Sequence, residues 1–175
     1  RTSRSIWPLF CRSALSSAVF LSQFEDAEDF YRWVEIFDGD DRIRPALPML
    51  LSYEIDGFGF PLACDFLKEL GFLNFGKPDV HLKAILSGLR LTRPAPADYE
   101  AFKAITRIAS AAGVSPYHVD KLFWLVGSGY FYDHPDVGRM GRVATDRAAF
   151  ISLAAASLSD DARERRPTPS RNVHQ

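Results

Sequence analysis

In the stretch YEIDGFGFPLACDFLKELGF, residues 53–72, two glycines stand two residues apart between two apolar runs. Gly57 and Gly59 enclose Phe58, and Pro61 follows at the start of the second run. Apolar side chains on both sides recur at the three- and four-residue spacing of a helix. The chain therefore has to turn sharply here and begin a second helix close to the first. Glycine supplies positive φ for such a turn and lets another backbone approach closely, so both glycines are expected to serve this way. Phe58 is expected to point back into the helix pair, and the small Ala63 lets the two helices pack tightly. The turn also presents the unsatisfied first-turn amides of the second helix, an anion site that needs no basic side chain.

Helical periodicity continues along the chain. Glu25–Phe37 places Phe30, Trp33, Val34 and Phe37 on one face, with carboxylates in the first turn, where the helix field favours negative charge. RPALPMLLSYEI forms the helix before the turn, with Pro48 early in it. FPLACDFLKELG forms the helix after it, opening near Pro61 and stopping at Gly71. DVHLKAILSGL is a further helix with Asp79 placed to cap it. ADYEAFKAITRIASAAG closes on Gly113. SPYHVDKLFWLVGSG opens with Ser115 as cap, ends at Gly127, and buries Val119, Leu122, Phe123 and Val126. An alanine-rich helix is expected from about Thr145 to Leu158. No strand period and no fixed repeat appears. The reading is all-α: a helical bundle with one domain over 25–159 and the hairpin at about 47–71. Residues 1–24 are expected to be a partial or flexible N-terminal segment, with a signal or transit segment as the alternative. Residues 160–175 are polar, contain proline, and are expected to be disordered.

Composition bounds the partners. The chain has 175 residues, 47% of them hydrophobic, enough for one core. Its formal net charge of −1 supplies no global basic field, so binding to nucleic acid has to run through backbone amides or a local patch. Two cysteines, Cys11 and Cys64, make neither a disulfide framework nor a Cys-x-x-Cys metal motif, and a reducing, cytoplasmic setting fits them. No apolar run reaches the length of a membrane span, and no membrane partner is expected. A monomer is expected.

The hairpin and the KPDVHL that follows it resemble the helix-hairpin-helix superfamily of base-excision DNA glycosylases, nearest its oxoguanine-glycosylase branch. In that family a short loop after the second helix ends in Asp, a variable residue, His and an apolar residue, as Asp79, Val80, His81 and Leu82 do here. The matched motifs cover about 47–91, with a looser likeness in KLFWLVGSG. The resemblance implies a DNA-glycosylase-like fold and double-stranded DNA as partner. It makes Asp79 the catalytic carboxylate, stabilising charge on the sugar as the N-glycosidic bond breaks or activating the attacking water. It makes the backbone of Gly57, Phe58, Gly59 and Phe60 the DNA clamp, with His81 and Lys77 in support. The target base would be flipped into a pocket, for which Tyr130, Phe131 and Tyr132 are the candidate lining. No cofactor is implied beyond a monovalent cation at the hairpin when DNA is bound. The family's bifunctional members carry a nucleophilic lysine where this chain has Pro61, so the implied chemistry is monofunctional hydrolysis. The four-cysteine cluster of some branches has no counterpart.

Plainer roles stand beside these. Asp79 before a helix is often only an N-cap, His81 can be structural, and Phe58 and Phe60 can be core. No metal set is proposed: His118 and Asp120 face different sides of a helix, and Asp79 with His81 are too few. The alternatives to a glycosylase are a non-catalytic helix-hairpin-helix DNA-binding module and an all-helical protein-interaction domain.

Overall fold

The computed structural model describes residues 6–129 and 147–164, with side chains through 158. Among the described residues the chain is all-helical: α1 (Trp7–Leu21), α2 (Ala27–Asp38), α3 (Ala46–Glu54), α4 (Phe60–Glu69), α5 (Val80–Gly88), α6 (Asp98–Ala112), α7 (Pro116–Ser128) and α8 (Arg147–Glu164).

Local chemistry sets most of the ends. Asp26 caps α2 by accepting the Asp29 amide at 2.8 Å. Gly71, at φ +100°, closes α4 in a Schellman turn: its amide bonds Lys68 O, and the Phe72 amide bonds Leu67 O. Gly113, at φ +67°, ends α6 in the same manner. Two ends differ from the sequence reading. Ser115 Oγ does not cap α7 but lies 2.8 Å from His118 Nδ1. And α7 runs past Gly127 to Ser128, ending at the left-handed Gly129. Gly127 stays inside the helix for a packing reason: a Cβ there would meet His81 Cβ at 2.6 Å.

The core has two lobes. In the first, Phe20, Phe30, Val34, Leu47, Leu51, Ile55, Ala63 and Leu67 pack α1 to α4 together, with Trp33 and Phe37 partly buried against them. In the second, Leu82, Ile85, Leu86, Ile105, Val119, Phe123 and Val126 join α5, α6 and α7, with Phe150 of α8 edge-on to Phe123. Phe102 of α6 ties the two, edge-on to Phe60 and tilted against Phe75. The expected α7 stripe needs one exchange: Leu122 is exposed and Asp120 is buried. Residues 1–24, expected as a flexible segment, contain α1, anchored by the buried Phe20. The last helix extends beyond Leu158 to Glu164, into the stretch expected to be disordered.

Candidate functional site

The turn between α3 and α4 needs glycine at one position. Gly57 takes φ +81°, the left-handed region. Gly59 does not: at φ −100° and ψ 168° it is the extended N-cap of α4, a conformation open to any residue. The close approach at Gly57 is made by α1. A Cβ there would lie 2.5 Å from Ser13 Oγ and 2.9 Å from Leu9 Cδ1. Ser13 Oγ donates to Asp56 O at 2.6 Å, and Ser16 Oγ accepts the Asp56 amide at 3.0 Å. Phe58 turns back and stands edge-on to Phe66, 5.7 Å between centroids, as expected of a residue that sets the helix crossing. The Phe60 ring is core, so only its amide is available to a ligand at the start of α4. Pro61, the next residue, has no amide to offer.

Asp79 caps α5. Its Oδ1 accepts the His81 amide at 2.8 Å and the Leu82 amide at 3.0 Å, so Oδ2 is the oxygen left for a substrate. Asp79 as a whole is half-buried. His81 packs against Gly127, and its Nδ1 is buried without a hydrogen-bond partner among the described residues. The aromatic candidates Tyr130, Phe131 and Tyr132 lie outside the described residues.

The third candidate, Lys77, belongs to a charged network that spans the two lobes. Asp120 Oδ2 accepts Lys68 Nζ at 2.9 Å and the Lys77 amide at 3.0 Å. Asp65 holds Lys68 Nζ at 2.8 Å with one oxygen and Lys77 Nζ at 2.9 Å with the other. Burial works against the charge on Lys68, but Asp65 and Asp120 outweigh it and push its pKa up to about 12. Burial raises the Asp120 carboxyl above its ordinary value, against the opposing pull of the Lys77 amide and Lys68. Asp65 is lowered, because bonds from the two lysines exceed its burial. These residues, with Lys121 and Trp124, line a polar cleft of about 210 Å³. Asp79 lies outside that lining, although its charge reaches Asp120.

Sequence reasoning weighed Asp120 only beside His118 as a metal pair and gave Asp65 and Lys68 no role. A signal was present: a carboxylate at position 120, beside Val119 and Phe123, has to be paired if buried. What the sequence lacked was the partner, which is 52 residues away. Among the described residues no group of three His, Cys, Asp or Glu side chains is placed to hold a metal, and no helix is long and apolar enough to cross a membrane. Comparison with protein-family models, curated proteins and solved structures finds no match.

Proposed function

We propose that this protein is a monofunctional, glycosylase-like DNA-repair protein, in which the α3–α4 turn meets the backbone of double-stranded DNA and Asp79 serves hydrolysis of the N-glycosidic bond of a damaged base. One observation carries the reading: a left-handed glycine turn is followed, one helix and one short loop later, by a carboxylate whose Oδ1 accepts two backbone amides while its Oδ2 accepts none. The first-turn amides of Phe60 and Leu62 point out of α4 without intrahelical partners, as any helix start does, and suit a phosphate oxygen. Pinned by two amides, Asp79 needs little reorganisation to meet positive charge on a sugar. The bond from C1′ to the base breaks with its electron pair going to the base. Water adds to C1′, and its proton passes by way of Oδ2 to the departing base. Pro61 supplies no amine, so no Schiff base forms at that position. The setting proposed is the cytoplasm, with the chain acting as a monomer and without a cofactor.

A second reading has its own observation. The seat of α1 on the turn, through Ser13, Ser16 and Leu9, fills the space that Gly57 opens. That arrangement favours an all-helical interaction domain built on the same scaffold.

Binding to duplex DNA containing an abasic-site analogue, compared with intact duplex at one moderate salt concentration, separates the two. Wild type is expected to prefer the abasic duplex. Gly59→Glu, at an exposed position with no Cβ contact closer than Pro61 Cδ at 3.8 Å, is expected to fold and lose that binding. Asp79→Asn is expected to bind and not excise. No binding by wild type would sink the DNA reading and leave the interaction domain.

A further inference from the structure

Helix α1 sets polar side chains beside its buried Phe20 on the inward face. Its serines face the protein: Ser13 and Ser16 bond the turn after α3, and Ser17 is half-buried beside them. The opposite side is apolar and faces out. Trp7, Cys11, Ala14, Leu15 and Ala18 recur at helical spacing along it, with Val19 at its edge. Trp7 is 65% exposed, Leu15 69% and Val19 72%. Phe10, also exposed, stands edge-on to Trp7 and continues into an apolar groove of about 450 Å³ between α1 and the turn. A contiguous apolar face of this kind marks an interaction surface.

Charge selects the partner. The first 24 residues carry Arg1, Arg4 and Arg12 and no carboxylate, whereas the next 17 carry eight carboxylates and one arginine. We propose that α1 lies on an anionic lipid surface, its Trp7–Leu15–Val19 face in the headgroup boundary and Arg12 reaching up to the phosphates. A helix in a segment with arginines and no carboxylate, with tryptophan and aliphatic residues on one side, fits an interfacial anchor, which needs no spanning length. The cytoplasmic leaflet supplies the negative charge. The acidic stretch from Glu25 to Asp41 is repelled by the same surface, so the body of the protein stands away from it.

Flotation of the full chain with vesicles tests this, using phosphatidylcholine alone and phosphatidylcholine mixed with phosphatidylserine. The mixed vesicles are expected to carry wild type, less so as salt rises. Leu15→Glu/Val19→Glu, which alters exposed positions only, is expected to bind about tenfold less or weaker still. A second measurement needs no variant. Cys11 is exposed on the outward face and Cys64 is buried, so mixed vesicles are expected to slow labelling of Cys11 by a water-soluble maleimide. Wild type staying with the soluble fraction in both mixtures, or unchanged Cys11 labelling, overturns the proposal. So does a concentration-dependent dimer that the double variant abolishes while no vesicle binds, because a second copy would then be what covers the face.

Discussion

Lys68 Nζ lies 2.9 Å from Asp120 Oδ2, and the same oxygen accepts the Lys77 amide at 3.0 Å. One buried carboxylate thus fastens α4 to α7 and fixes the loop that leads to Asp79. Lys68→Met is expected to cost about 3 kcal/mol at neutral pH, because it leaves Asp120 charged and buried with one amide as partner. The sign of the pH dependence follows from Asp120. A carboxyl raised on folding is favoured in its protonated form, so at neutral pH its ionised form is a cost that Lys68 offsets. The deficit of Lys68→Met is therefore expected to be largest near neutrality and to shrink on acidification. Asp65, lowered on folding, acts in the same direction: its contribution is lost as pH falls, and wild type has more of it to lose. At the other end, Lys68 contributes stability present in full below 10.5 and lost as pH rises through about 12. Urea denaturation of both proteins across pH checks each limb.

The two glycines of the turn are expected to respond differently. Gly57→Ala forces a side chain into left-handed backbone and against Ser13 and Leu9, at a cost of about 2 kcal/mol. Gly59→Ala has neither problem and is expected to stay within about 0.5 kcal/mol of wild type. Equal losses in the two variants, by chemical denaturation, would show that Gly59 carries a constraint its backbone does not reveal.

Asp79 has a structural role separable from any chemistry. Asp79→Ala removes the cap on the His81 and Leu82 amides and is expected to cost about 1 kcal/mol. Asp79→Asn keeps an accepting oxygen and is expected to be close to wild type in stability. A thermal melt of the two variants distinguishes them, and makes Asp79→Asn the clean variant for excision assays.

Where α5 and α7 cross, Gly127→Ala places a methyl 2.6 Å from His81 Cβ, an atom that cannot swing aside. The expected cost is about 1–3 kcal/mol. His81→Gly in the same background is expected to recover part of that loss, because it removes the Cβ that the methyl meets. A double-mutant cycle measures the recovery.

In the core, Phe60→Ala is expected to lose about 3 kcal/mol, since its ring packs on Phe102 where the two lobes join. If the turn binds DNA as proposed, the effect of Phe60→Ala on that binding, measured well below its melting temperature, is expected to be small beside that of Gly59→Glu.

The sequence by itself determined α2 to α6 and the places where they stop, whereas α1 lies in a stretch that reads as a flexible segment. Asp26, Asp79, Gly71 and Gly113 act on their own neighbours through caps and left-handed turns, which are local and need no partner elsewhere. It also determined the turn after Ile55 and the burial of Phe30, Val34 and Ala63, because helical spacing shows which side chains share a face. Tertiary structure decided which lone polar residues were paired. Asp120 shows no partner in its own stretch of sequence; Lys68, far along the chain, is brought beside it by the fold, and only the folded pair makes its burial tolerable. It decided that Gly127 is a packing glycine and Gly129 the stop, since the reason is His81 on another helix. It decided, finally, that α1 seats its serines inward and leaves its apolar face outward. Periodicity tells which residues lie together on a helix, but which face meets the protein depends on what the rest of the chain presents to it.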